Sequence, residues 1–393
     1  MRRLSLLVLS LLLLVSHGAI AQSPQDRAWG TATAAFRDLV RTDSIVGGTL
    51  ALVRDGRVLR RLDLGFQDRA QRIPMGPRAI MHWGSVTKTL TAVAVLGLRD
   101  RGMFSLDDPI TTWVPELRQV HNPWGTMDGI TLRMLLSHSS GLQNPTWPWR
   151  RYEAWEPFEP TRWEQLVSMM PYMQLRFPPG SRYGYSNPAY IYLARVLEAE
   201  TGDAWQSYVY KNLFLPLGMT ASSFGATPWH LRADRSSNYT LVRDSSGVER
   251  VEDNGREFDP GITIPNGGWN APVTDLACWV AFLAGPAPGD TAQAALDDVI
   301  LARRTLAEAW RPVVAVGNDE GEAMGLGFFL LPTARDTLVG HTGEQAGFRS
   351  FVYLNRRTRT GVIGVVNTTN DARPDESGRA FRRALVAAAG LLD

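Results

Sequence analysis

Apolar positions along this 393-residue chain change their spacing twice, with strand-like runs near both ends and helical runs between them. Residues 22 to 42 place Phe36, Leu39 and Val40 on one face, which predicts an amphipathic helix. Ile45 to Val53 follows as a β-rich run, Asp55-Gly56 is hairpin chemistry, and Arg57 to Phe66 returns as a second strand. Thr87 to Leu96 has helical length with no Gly or Pro, Thr131 to His138 is a short helix, and Pro188 to Glu200 is another, stopped at Gly202. Loops rich in Pro, Trp and Gly join these helices. Gln143 to Glu164 carries four tryptophans and reads as an irregular segment that lines a cleft or simply packs. The polar stretch 226 to 262 contains a hairpin around Ser245-Ser246-Gly247. Gly325 to Leu331, Thr337 to His341, Gly347 to Leu354 and Thr360 to Asn367 are β-rich runs at antiparallel spacing, and Glu376 to Leu391 closes as a helix with Phe381, Leu385 and Val386 inward. The expected architecture is α/β (α+β): one antiparallel sheet built from both chain ends, flanked by the terminal helices, with an all-helical lobe inserted. The sheet lobe would hold about residues 22–84 and 265–393, and the helical lobe about 85–264, within one domain over 22–393.

Composition adds a compartment. Arg2 and Arg3 precede the apolar run Leu4 to Val15, and Ala19-Ile20-Ala21 supplies a small-residue cleavage site, so residues 1–21 read as a secretory signal peptide. That apolar run is too short for a permanent membrane span. The expected mature chain begins near Gln22, is periplasmic or secreted, and keeps no membrane anchor. Without Arg2 and Arg3 the 41 basic residues become 39, against 39 acidic ones. A near-neutral chain has no electrostatic reason to bind nucleic acid or an anionic membrane. Cys278 is the only cysteine, which excludes an internal disulfide, and its apolar neighbours place it on a buried helix face rather than in thiol catalysis.

Lysine usage then points to chemistry. Only Lys88 and Lys211 are lysines, and all other basic positions are arginine. Arginine stays protonated at any workable pH, whereas a buried lysine gives up its proton and can act as a base. Ser85 lies three residues before Lys88, so one helical turn sets hydroxyl and amine on the same face, in the positive field of a helix N-terminus. Taken alone, the pair reads equally as a serine cap on a core helix with a snorkelling lysine. Tyr185-Ser186-Asn187 lies in a loop entering a helix and offers a phenol and an amide two residues apart; the same residues also serve as a plain helix cap. His341-Thr342-Gly343-Glu344 ends one strand and begins a turn toward the next, with glycines that allow close approach to the backbone.

Taken together, Ser85-x-x-Lys88, Tyr185-x-Asn187 and His341-x-Gly343 resemble, in order and spacing, the three motifs of the serine hydrolases related to class C β-lactamases. That family includes D-aminopeptidases, DD-peptidases, family VIII esterases and penicillin-binding-protein-like enzymes. Leu135 to Leu142, Leu217-Gly218-Met219, and Gly267-Gly268-Trp269 ahead of Thr274-Asp275-Leu276-Ala277 are similar to its landmarks, so the likeness covers nearly the whole mature chain. The resemblance implies a β-lactamase/transpeptidase-like fold and an acyl-enzyme on Ser85. It implies that Lys88 and Tyr185 take and return the proton, and that Asn187 positions the lysine and the substrate amide. The backbone N–H groups of Ser85 and Glu344 would form the oxyanion hole, with His341, Thr342 and Gly343 beside the substrate. It implies no metal and no organic cofactor, a small-molecule or peptide substrate, and a structural role for His138; oligomeric state stays open. His341 stands where the β-lactamases and DD-peptidases usually carry lysine, which removes a fixed positive charge. The expected activity is therefore hydrolysis of an ester or amide of a small or D-amino-acid substrate. The competing expectations are a β-lactamase or DD-peptidase acting on penicillins or cell-wall peptides, and a non-catalytic module that senses peptidoglycan. Specificity is expected to lie in the 143–164 and 226–262 stretches.

Overall fold

A computed structural model describes residues 23–142 and 160–393. The expected signal peptide at 1–21, and the tryptophan-rich stretch as far as residue 159, lie outside these residues.

Helix α1 (Pro24–Thr42) is capped by Ser23, whose side chain accepts from the Asp26 N–H, and it buries Ala32, Phe36 and Leu39. Strands β1 (Gly47–Arg54) and β2 (Arg57–Asp68) form the expected hairpin. The other end of the chain supplies β3 (Phe329–Pro332), β4 (Thr337–Gln345), β5 (Phe348–Asn355), β6 (Thr360–Val366) and the closing helix α2 (Pro374–Ala389). These strands make one antiparallel sheet in the order β2, β1, β6, β5, β4, β3, with two-residue strands at both edges. Strand β1, from one end of the chain, lies directly against β6, from the other, with Ala51 opposite Ile363.

Alternation along β1 decides what covers each face. Leu50 and Leu52 join Phe36, Leu39, Phe351, Phe381 and Leu385 under the two terminal helices. Ala51 and Val53 join the larger core on the opposite face with Leu90, Val93, Trp279 and Ile363. Each large side chain so covered contributes about 1.5–3 kcal/mol. The helix Thr87–Asp100 that follows Ser85 is buried at every position from Thr87 to Leu98, which makes it a central helix rather than an amphipathic surface one.

Three boundaries differ from expectation. The run beginning at Gly325 breaks at Gly327, whose φ of +86° is incompatible with a strand, and β3 starts only at Phe329. Strand β4 runs on to Gln345, so His341 to Glu344 are strand residues and the turn falls at Ala346-Gly347, both with positive φ. Gly343 serves close approach, not turning: a Cβ there would lie 2.0 Å from the Trp83 carbonyl oxygen. The inserted segment is mainly helical but also carries the hairpin expected near Ser245, as strands Asn238–Arg243 and Glu249–Gly255. Its first strand pairs in parallel with Thr368–Asn370 and so ties the insert back to the end of the chain.

Candidate active site

The first motif opens on a tight turn. Gly84 has φ +51°, and a Cβ there would come 2.8 Å from the backbone nitrogen of Glu344. A Cβ on Gly343 would likewise come 3.0 Å from the Ser85 nitrogen. Two glycines thus let the start of the Ser85 helix touch β4, which brings the amides of Ser85 and Glu344 side by side.

Lys88, one turn beyond Ser85, is fully buried. Its Nζ lies 3.0 Å from Ser85 Oγ, 2.8 Å from Asn187 Oδ1 and 2.8 Å from the carbonyl oxygen of Asn266. Burial holds its pKa well below the usual lysine value. Two of the three partners are oxygens that can only accept. A neutral amine donates its two hydrogens to them and turns its lone pair toward the Ser85 hydroxyl.

Tyr185 precedes the helix Asn187–Thr201, which Ser186 caps by accepting from the Ala189 N–H, while Pro188 sits in its first turn and Gly202 ends it at φ +71°. Ser186 thus takes the cap, which leaves Asn187 to accept from Lys88 and Tyr185 to face Ser85. The phenol hydrogen-bonds Ser85, and burial, the larger influence, pushes its pKa well above the ordinary tyrosine value. The Lys88 amine lies 4.9 Å from the centre of the Tyr185 ring. Asn187 is held from the other side by the Asn266 side-chain amide, which donates to its Oδ1 at 3.3 Å.

On β4, His341 is 1% exposed and its Nδ1 faces the Thr342 carbonyl oxygen. Burial, and then the nearby Lys88, lower its pKa to about 3, so the ring is neutral and supplies no positive charge. Thr342 and Gly343 line a cavity of about 420 Å³ with Ser85, Tyr185, Phe329 and Phe381, and Arg349 and Arg382 border it. Arg349 Nε lies 2.8 Å from the Glu344 carboxylate and its NH1 donates to Ser377, while Arg382 pairs with Glu320 and Glu322. A second cavity of about 250 Å³ shares Ser85 and Glu344 and is lined by Phe258, Asp259, Asn266 and Gln345. Phe258 and Asp259 belong to the stretch expected to govern specificity.

Seven of the eight expected residues therefore converge on the Ser85 hydroxyl or on the cavities that open at it; His341 lies behind them, buried against Phe329 and Tyr185. Sequence reasoning missed Asn266, which steadies both Lys88 and Asn187, although its neighbours Gly267-Gly268-Trp269 stood out. It also missed Arg349, whose only signal is its place one strand over from Glu344. Among the described residues no group of His, Cys, Asp or Glu converges as a metal site, and no helix is long and apolar enough to cross a membrane.

Comparison with known proteins bears on the family and the fold. Protein flp of Staphylococcus aureus is 24% identical over 338 residues, which are 84% of this chain and 61% of that protein. The chain thus spans under two thirds of that relative's length. The octameric penicillin-binding protein homologue from Pyrococcus abyssi superposes with a TM-score of 0.73 at 23% identity, covering 91% of this chain and 77% of that one. D-amino acid amidase from Ochrobactrum anthropi gives 0.69 at 22% identity, with 92% and 98% covered. These two likenesses establish the β-lactamase/transpeptidase-like fold. The sequence model of the β-lactamase family matches residues 32–387, and the chain belongs to that family of serine hydrolases.

Proposed function

We propose that this chain is an exported serine hydrolase that cleaves an ester or amide bond through an acyl-enzyme on Ser85. The observation that carries the reading is the set of three contacts at Lys88 Nζ, because it leaves a lone pair for the Ser85 proton. Ser85 Oγ attacks the substrate carbonyl carbon as its proton passes to Lys88. The amides of Ser85 and Glu344 receive the oxyanion, a role worth about 2.7–4 kcal/mol per donor where one has been removed. Tyr185 stays a phenol and protonates the leaving group, and Lys88 restores its proton. Water then attacks the acyl carbon by the same route in reverse, freeing Ser85. Asn187 holds the lysine and the substrate amide.

A neutral ester or amide is favoured because His341 is uncharged and Arg349 is already matched by Glu344. The likeness to a D-amino acid amidase adds an amino-acid amide as the first substrate to try. The second reading, a β-lactamase or DD-peptidase, draws on Arg349 and Arg382 at the larger cavity; penicillin turnover or release of D-alanine decides for it.

The test is intact mass after brief exposure to a p-nitrophenyl short-chain ester. Wild type is expected to carry a transient acyl adduct that Ser85→Ala lacks, and wild-type turnover by a folded Ser85→Ala overturns the reading. Export is checked by expressing the full chain in a Gram-negative host, where the secreted or periplasmic product is expected to begin near Gln22.

A further inference from the structure

His138 stands outside the three motifs, yet it grips the segment that carries Tyr185. Its carbonyl oxygen accepts from the Gly184 N–H at 2.8 Å, and its ring Nδ1 accepts from the Ser186 N–H at 3.1 Å. Between these two bonds the imidazole packs on the Tyr185 ring, with centroids 4.3 Å apart and planes tilted by 35°. The other side of the arrangement is closed by Tyr190 and Tyr183, at 5.1 and 6.1 Å from the His138 ring. One residue therefore holds both neighbours of Tyr185 and one face of the phenol itself.

The arrangement is costly, and bulk packing does not account for the cost. His138 has φ +53°, a conformation that favours glycine or asparagine. Because Nδ1 accepts, the ring proton sits on Nε2, which is buried with no hydrogen-bond partner. A buried polar group left unsatisfied costs about 1–3 kcal/mol. A leucine or glycine would fill or relieve this position without that N–H. What histidine supplies and they do not is an acceptor aimed at Ser186 together with a flat face for Tyr185. Strain kept beside a reactive group is the pattern expected where position matters to the reaction.

We propose that His138 is a positioning residue that holds the Tyr185 ring in place so that its hydroxyl stays on Ser85, a role that rests on the acyl-enzyme reading above. It touches neither substrate nor the reacting atoms, so its effect appears in kcat and not in KM.

Two variants that both tolerate the left-handed backbone test it. His138→Gly removes ring and acceptor together. His138→Asn keeps an oxygen for the Ser186 N–H. A fluorophosphonate probe, read by intact mass, counts the chains whose Ser85 is competent, and ester turnover is expressed per labelled chain. For His138→Gly, kcat per labelled chain is expected to fall by about 10²-fold, the scale of an ångström of misplacement, with KM within about twofold. His138→Asn is expected to recover about tenfold of that loss. A merely structural residue would lower the labelled fraction and leave turnover per labelled chain alone. Turnover per labelled chain within twofold of wild type in His138→Gly, or an Asn variant no better than the Gly variant, overturns the proposal. Failure of wild type to label at Ser85 overturns both this inference and the acyl-enzyme reading.

Discussion

Lys88 is where burial and hydrogen bonding set the chemistry of a single side chain. Desolvation moves its pKa down from the ordinary value of 10.5, and its two carbonyl-type partners fix where the lone pair points. The rate of acylation should therefore rise with pH as Lys88 loses its proton, along a limb that lies well below the range of a free lysine. Tyr185 contributes no opposing limb near neutrality, since its pKa moves the other way. Lys88→Arg sets a permanent charge where the neutral amine stood and offers no base. Its turnover is expected to fall by about 10²–10⁴-fold and to lose that rising limb; a pH profile of kcat/KM between 5 and 10 for both proteins checks this. The scarcity of lysine makes Lys88 legible in the sequence, because a base that must titrate cannot be arginine. His341 is legible as a departure, and its neutrality follows from burial. His138 is not legible as a positioning residue, since nothing in a linear sequence places it against a tyrosine 47 residues later.

At the scale of elements, the site is a junction between the turn before the Ser85 helix and strand β4. The turn and the strand approach closely because Gly84 and Gly343 carry no side chains where the backbones meet. Gly343→Ala would set a methyl 2.0 Å from the Trp83 carbonyl oxygen and 2.6 Å from Ser350 Oγ, so strand and turn must part. The Glu344 amide is then drawn off the oxyanion position. Turnover is expected to drop by about 10²–10³-fold, the effect of losing one such donor. Stability should fall by about 1–3 kcal/mol from overpacking. Ester kinetics and urea unfolding of Gly343→Ala measure the two separately, and a variant with wild-type kcat would show that the Glu344 amide is not needed. Period-two spacing makes the strands legible here, but it does not distinguish a glycine that turns the chain from one that admits a neighbour. Glycines at 343 and 347 look alike in sequence, and only Gly347 has the positive φ of the turn. The pairing of Asn238–Arg243 with Thr368–Asn370 escapes for a related reason, since pairing partners so far apart in the chain leave no local pattern.

At the scale of the molecule, three histidines among the described residues, His82, His138 and His341, are buried and held neutral, chiefly by desolvation. In the folded chain His82 protonates only near pH 4 and His341 near pH 3, whereas in the unfolded chain each does so near 6.5. Above pH 6.5 neither state binds these protons, and their contribution to stability is fully present. As pH falls below 6.5 the unfolded chain takes up protons that the folded chain refuses, so stability is lost until each folded pKa is reached. The loss is about 1.4 kcal/mol per pH unit for each histidine that behaves this way. Asp68, held below its ordinary value of 3.8 by the Gln71 N–H and Arg256, titrates beneath this interval, whereas burial raises Asp275, whose proton uptake in the folded chain offsets part of the histidines' loss. Urea unfolding at pH 7.0, 6.0, 5.0 and 4.5 is expected to give a midpoint that is steady down to about 6.5 and then falls steeply. His82→Gln should make that fall shallower by about one third. A midpoint flat across the interval would mean that these rings take up protons in the folded state, and that His341 offers a substrate the positive charge its burial argues against.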